Sequence, residues 1–260
     1  MAFGKWIGGF LGFIAAGPLG ALAGIVLGSL FEKGLDEVNT PDNNVFGNSQ
    51  HEAEGQRNSF FFSLLVLAAY AIKADGKVMH SEMECVRQFL RNNFGIEAEQ
   101  QGNKILLSLF EEQAKMDARQ PGAFRNAVMQ SGEQIAANMD YGQRLQLLNF
   151  LAMIAKADGR VTSEEMDAIR QIAAAMRLST KEVDSMFNLG NNDLDSAYKI
   201  LEISPSATDD EVKAAYRRMA LKHHPDRVAT LGEDVRLAAE KKFQEINEAK
   251  ERIYKARGIR

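Results

Sequence analysis

The residues best placed to do chemistry stand together near the C-terminus: His223, His224, Pro225 and Asp226. An imidazole and a carboxylate flank a proline. Proline cannot continue a helix, so the tripeptide His224-Pro225-Asp226 must sit on a loop. The preceding stretch has helical spacing. Val212, Ala215, Tyr216 and Met219 fall at i, i+3, i+4 and i+7 and form an apolar underside. Lys213, Arg217, Arg218 and Lys222 occupy the opposite half. The underside faces a core and the basic half faces solvent, either as an ordinary solvated surface or as a recognition face. Residues 194–260 hold 14 Lys and Arg against 12 Asp and Glu, so one-sided clustering is the signal and net charge is not. No other feature supports a nucleic-acid role. No nucleophile–base constellation, phosphate-binding loop or dinucleotide fingerprint is present, so the chain is not expected to be an enzyme.

The elements that must position this loop are also readable. Ser204 to Thr208 form a turn, and Thr208 with Glu211 makes a capping box that opens the basic helix. A second amphipathic helix follows the loop, with Phe243, Ile246, Ala249 and Ile253 inside and Glu245, Lys250 and Arg252 towards water. Asn191-Asn192 separates this unit from what precedes it.

The chain as a whole has 260 residues, 45% apolar and 25% charged, with a net charge of −4. This excludes wholesale disorder and gives no support for bulk nucleic-acid binding. A single cysteine, Cys85, excludes an intramolecular disulfide and any multi-cysteine zinc site. The four histidines, His51, His80, His223 and His224, do not form a His-rich cluster, and no metal or other cofactor is expected. Ala, Leu, Met, Glu, Gln, Arg and Lys dominate, which favours an all-α fold.

No charge occurs between Lys5 and Glu32. At ~1.5 Å per residue, residues 6–31 would reach about 39 Å as a helix, enough to cross a bilayer with tilt. Trp6 suits the interface. Gly8, Gly12, Ala16, Gly20, Gly24 and Gly28 recur every fourth residue and predict a smooth stripe for homodimerisation within the membrane. Pro18 is expected to kink the span. A cleaved signal peptide with Ala21-Leu22-Ala23 as its site is the competing reading, but the apolar run continues past it to Phe31. Of the flanking charges, Lys5 stands on one side and Lys33, Glu32, Asp36 and Glu37 on the other, a weak lean to a cytoplasmic N-terminus.

After the anchor (1–31) comes a polar stretch without periodicity (32–55), expected to be a flexible linker, then a helical domain (56–190) and the terminal unit (193–260). Residues 60–72 hold only Ser63 as a polar interruption and are too short to span a bilayer, so they should form a central buried helix. Lys73-Ala74-Asp75-Gly76-Lys77-Val78 returns as Lys156-Ala157-Asp158-Gly159-Arg160-Val161. The register holds for Glu82-Met83 with Glu165-Met166, Arg87-Gln88 with Arg170-Gln171, and Leu64-Leu65 with Leu147-Leu148. This predicts a duplicated helix pair. In each copy the glycine ends a helix in the left-handed region and the valine anchors the turn. Thr162 and Glu165 form a capping box, whereas Met79 leaves Glu82 with half of one.

Two such motifs, each after an apolar helix, resemble the TerB-like (tellurite-resistance type) fold. That resemblance raises Asp75, Glu82, Asp158 and Glu165 as metal candidates, but capping already employs them and an EF-hand would need further ligands between. The segments Ala-Ala-Tyr-Arg-Arg-Met-Ala-Leu-Lys-His-His-Pro-Asp and Lys-Phe-Gln-Glu-Ile-Asn-Glu-Ala, with the loop between two amphipathic helices, are similar to a J domain. The resemblance implies a co-chaperone that binds Hsp70 (DnaK) and stimulates its ATP hydrolysis. Lys213, Arg217, Arg218 and Lys222 would then meet an acidic Hsp70 surface, and His224, Pro225 and Asp226 would make the triggering contacts. Basic side chains would steer the encounter while the loop supplies specific hydrogen bonds. The stretch 227–237 is longer than the family's usual loop, and no Gly/Phe-rich or Cys-rich segment is present. Anchor, TerB-like middle and terminal J domain in this order resemble the membrane-anchored DnaJ-like co-chaperones of Gram-negative bacteria. These sit in the inner membrane, bulk in the cytoplasm, and are tied to envelope stress and capsule regulation. A J domain needs Hsp70 and ATP, which overrides the flanking charges and predicts a periplasmic N-terminus. The expected partners are Hsp70, a second copy of the chain and membrane lipid, with no nucleic acid. The alternative reading is a metal-responsive or scaffolding membrane adaptor.

Overall fold

The computed structural model describes residues 16–32, 49–188, 193–231 and 233–259, and those residues form α-helices, one 3-10 helix and turns, with no strand among them. The middle domain is built on α2 (Ser49–Ile72). Phe60, Phe61, Phe62, Leu64, Leu65 and Leu67 of this helix are all buried, so its second half is apolar on every side and shows no amphipathic stripe. Around it pack α4 (Ile96–Arg119), α5 (Ala123–Asn138), α6 (Tyr141–Ala155) and α7 (Ser163–Ala175). The outer helices α3 (His80–Phe94) and α8 (Thr180–Asn188) complete the domain. Gly102 of α4 shows how closely the helices approach: a Cβ there would stand 2.4 Å from Leu90 and 3.0 Å from Phe61.

The central helix begins at Ser49, so residues 49–55 of the expected linker are helical, Glu32 ends the first helix, and residues 33–48 lie outside the described residues. Once burial of residues 60–72 nucleates the helix, Glu52, Ala53 and Glu54 extend it backwards at little cost, because propagation is far cheaper than initiation.

Helix α1 (Gly17–Glu32) starts at Gly17, with φ of +79°, so Pro18 lies in the first turn, where its missing N–H is not needed, and it kinks nothing among the described residues. Gln134 of α5 holds this start, accepting from the Leu19 amide at 3.0 Å and donating to the Ala16 carbonyl at 2.6 Å. Leu19, Leu22, Ala23 and Val26 are buried against the middle domain through α4 and α5. Among the described residues no helix is long and apolar enough to cross a membrane. Residues 6–15 of the expected span, with Gly8 and Gly12, lie outside the described residues. Of the remaining stripe, Ala16, Gly24 and Gly28 are exposed and Gly20 is half-buried.

The terminal domain has α9 (Leu194–Ile200), α10 (Asp209–Lys222), a 3-10 helix (Pro225–Leu231) and α11 (Glu233–Arg257). It has its own core, in which Tyr198, Leu201, Val212, Met219, Ile246 and Ile253 interlock. Arg257 ties the α9–α10 turn to the end of α11, donating to Tyr198 Oη and to the carbonyls of Pro205 and Ala207. The stretch 227–237 is not an open loop. Its first part is 3-10 and its last part belongs to α11, because Val228 finds a place in the middle domain's core. The break at residues 191 and 192 lies outside the described residues.

Candidate functional site

Helix α10 is capped as its sequence requires. Thr208 Oγ1 accepts the Glu211 amide and Glu211 Oε2 accepts the Thr208 amide at 2.7 Å. These amide and hydroxyl donors hold the Glu211 carboxyl below its usual range. Val212, Ala215 and Met219 are buried, as their spacing predicts, and Tyr216 is half-buried with its hydroxyl donating to Asn247 at 2.8 Å. The helix closes where the His223 amide donates to the Met219 carbonyl, and Pro225 begins the 3-10 turn. His224 Nδ1 accepts the Asp226 amide at 3.3 Å and lies 3.5 Å from the Asp226 carboxylate. The ring lies edge-on to Phe243, with centroids 5.9 Å apart, so the expected inner Phe243 serves the loop and stands outside the domain's own core cluster. Side-chain exposure is 49% for His224 and 86% for Asp226. The loop is therefore braced from behind and open in front.

Of the four basic candidates, Arg217 and Arg218 are exposed and Lys213 is half-buried. Arg218 donates to the Leu201 carbonyl at 3.5 Å. Lys222 differs: its side chain is 23% exposed, and Nζ lies 3.1 Å from Glu182 of α8 and 3.3 Å from Glu202. The Tyr141 ring is 5.2 Å from the same ammonium. Glu182, Glu202 and Tyr141 were not foreseen, since two of them belong to a different domain and no local spacing connects them to α10. Lys250, expected to face water alone, lies over the rings of Tyr216 and Tyr254.

Behind the loop two ionisable groups are buried without hydrogen-bond partners, His223 Nδ1 and Lys242 Nζ. Burial pushes the His223 imidazole well below its ordinary value, helped by the charges of Lys242 and Lys222. Burial also pushes the Lys242 ammonium well below its own, opposed by Glu245 and aided by Lys156. Beside them a cleft of about 820 Å³ separates α11 from α3 and α6, lined in part by Gln88, Asn149, Lys156, Lys241 and Glu245.

The four carboxylates of the middle domain converge, but each accepts a backbone amide. Asp75 takes that of Lys77 and Asp158 that of Arg160, both at 2.9 Å. Glu82 takes that of Met79 and Glu165 that of Thr162, both at 2.8 Å. Gly76 and Gly159 share a φ of +81°. Hydrogen bonds thus close the first turn without its valine: Val78 is 41% exposed, against the expectation that it anchors the core, while Val161 packs partly buried. Burial raises the Glu82 carboxyl to about 7, with Glu165, Asp75 and Asp158 adding to the rise and the Met79 amide opposing it. Among the described residues no group of three or more His, Cys, Asp and Glu side chains could hold a metal ion, so the carboxylates do not fit one.

Comparison with known proteins finds matches in three segments of the chain. Family models match residues 1–38 (Co-chaperone DjlA transmembrane domain), 62–188 (Tellurite resistance protein TerB) and 196–257 (DnaJ domain). The chain is 26% identical to the co-chaperone protein DjlA of Photobacterium profundum, covering 99% of this chain and 100% of that protein. It is 27% identical to that of Vibrio cholerae, covering 99% of each. The human DnaJ homolog subfamily C member 7 is 50% identical over 52 residues, which are 20% of this chain and 10% of that protein. No solved structure matches the chain. Three matched segments in one order, and relatives of one kind aligned end to end, place the chain in the DjlA co-chaperone family.

Proposed function

We propose that this chain is a membrane-anchored co-chaperone whose terminal domain stimulates ATP hydrolysis by an Hsp70 (DnaK) through His224, Pro225 and Asp226. The observation that carries the reading is the presentation of the loop: His224 and Asp226 stand exposed at the end of a basic helix, with Phe243 bracing the imidazole. Lys213, Arg217, Arg218 and Lys222 would set the register against an acidic partner surface, and the loop would make the directional contacts. The residues act on a partner's nucleotide site, so the chain needs no catalytic group of its own. The match of residues 1–38 supports the anchor. Hsp70 and ATP are cytoplasmic, which sets residues 32–260 on that side and the N-terminus in the periplasm. The exposed positions Gly24 and Gly28, where an added Cβ would meet nothing within 4 Å, support homodimerisation within the lipid. The equal geometry of the two Asp-Gly turns supports an internal duplication of the middle domain. Envelope stress and capsule regulation are the processes this anchoring would serve. The metal-responsive alternative draws no support from carboxylates each already engaged by a backbone amide.

The test is single-turnover ATP hydrolysis by a bacterial Hsp70 with the full chain in lipid, compared with His224→Gln. Glutamine keeps size and polarity but not the ring, so stimulation should fall by about ten-fold or more, the loss of roughly 1.4 kcal/mol. Equal stimulation by a folded variant would overturn the reading.

A further inference from the structure

We infer that the middle domain holds the terminal domain in a closed, less active arrangement by occupying Lys222 and the segment after the His-Pro-Asp loop, and that Hsp70 engages the whole site only when the two domains part. The inference rests on the co-chaperone reading above and assigns that site a built-in restraint.

Three contacts make the closure. Lys222 Nζ sits between Glu182 of the middle domain and Glu202 of its own domain, at 3.1 and 3.3 Å, with both carboxylates almost fully buried. An acidic partner surface would have to take the ammonium from two carboxylates already in contact. Val228, three residues past Pro225, is 1% exposed and belongs to the middle domain's hydrophobic cluster, together with Ala239. Between them, Arg227 lies directly on Gly142 of α6, where an added Cβ would come within 2.9 Å of Arg227 Cβ. The site is therefore divided. Arg217, Arg218, His224 and Asp226 are open to an encounter, while Lys222 and Val228 are held by the middle domain and Arg227 rests its side-chain stem on Gly142 with its head exposed.

The closure is also built to open. The terminal domain keeps a core of its own, independent of the middle domain. On the far side of the contact the surfaces do not seal, leaving the cleft of about 820 Å³. Lys242 is buried at its edge with no hydrogen-bond partner, on the helix facing Lys156 across the cleft. A buried amine with no hydrogen-bond partner opposes the arrangement that buries it, whichever protonation state it takes. Binding energy from a partner that prefers the open form is then enough to shift the population.

Gly142 provides the handle. It is the second residue of α6, beside the Asp140 cap, and an added Cβ would meet Arg227 at 2.9 Å and Asp140 Oδ1 at 3.3 Å. Gly142→Leu therefore wedges against Arg227, and its melting temperature is measured beside that of Gly142→Ala to separate the wedge from any loosening of the cap. The opposite device is a lock: Cys85→Ser with Gly142→Cys and Arg227→Cys, whose Cβ atoms are close enough for a disulfide after a small adjustment. Both are measured as full chains in lipid by single-turnover Hsp70 ATP hydrolysis at sub-saturating co-chaperone. If the closed form outweighs the open by about ten to one, the wedge should raise stimulation up to about ten-fold. The oxidised lock should lower it below the level of its own reduced form, and reductant should restore it. His224→Gln in the wedge background should remove the gain. Equal rates for oxidised and reduced lock, with cross-linking shown on a gel, would overturn the closure. So would failure of the cysteine pair to oxidise, or a folded wedge without gain. Absence of stimulation by the unaltered chain and the reduced lock alike would instead overturn the co-chaperone reading.

Discussion

Glu82 is the buried acid at the start of α3, and its surroundings alter its ionisation. Its carboxyl titrates near 7 in the fold because burial opposes its charge, and Glu165, Asp75 and Asp158 oppose it further. Its ordinary value is 4.5, so the folded state binds the proton more tightly than the unfolded chain does. Stability from this group is therefore fully present below about pH 4.5 and is lost as pH rises through about 7. Glu82→Gln keeps an oxygen to accept the Met79 amide and removes the charge. Its melting temperature should match the parent near pH 5 and exceed it near pH 8, by up to about 3 kcal/mol of stability. Coincident curves at both pH values would contradict this. The capping role of Glu82 was legible in the spacing from Met79, because a cap is completed within three residues. Its raised titration was not, because it comes first from burial in the packed domain and then from carboxylates of which two, Glu165 and Asp158, belong to the other copy of the motif.

Among the helices, α10 follows its sequence most closely. The cap at Thr208, the stop at His223 and Pro225, and the buried Val212, Ala215 and Met219 all lie where local rules put them. Helix α2 extends further back than its composition suggested, since its buried half drives the rest. Helix α1 presents two faces of different kinds: Leu19, Leu22 and Val26 are buried, whereas a Cβ on Gly24 or Gly28 would meet nothing within 4 Å. This separates packing from self-association. Gly24→Ile should leave thermal stability within about 0.5 kcal/mol of the parent, as substitutions at open positions do. It should also abolish cross-linked dimer in lipid if the stripe is the contact. Undiminished dimer would remove the stripe from that role.

The molecule joins an exposed basic surface to a restrained one. Lys213, Arg217 and Arg218 lie on the accessible side of α10, and their proposed part is long-range attraction of an acidic partner. Such attraction is screened beyond about 8 Å at physiological salt. Association of Hsp70 with the full chain should slow by about ten-fold between low and high salt, chiefly through kon. Arg217→Glu should flatten that dependence, leaving the fold intact because the side chain is exposed. Stopped-flow association at two salt concentrations measures both, and a salt-independent rate for the unaltered chain would refute steering.

The order of parts along the chain, the position of the His-Pro-Asp loop, the capped helices and the central apolar helix were all readable from residues alone. Each depends on interactions within a few positions: a proline without a donor, a threonine three residues before a glutamate, a run with no charge to keep it in water. The partners of Lys222, the burial of Val228 and the exposure of Val78 were not readable. Lys222 and Glu182 are forty residues apart, and no local pattern records that they meet. Val78 is freed because hydrogen bonds at Asp75 and Gly76 close the turn, and Val228 is buried because one domain comes to rest on the other. Short-range sterics and capping act before the chain is compact, whereas burial and charge pairing across domains exist only once it has packed.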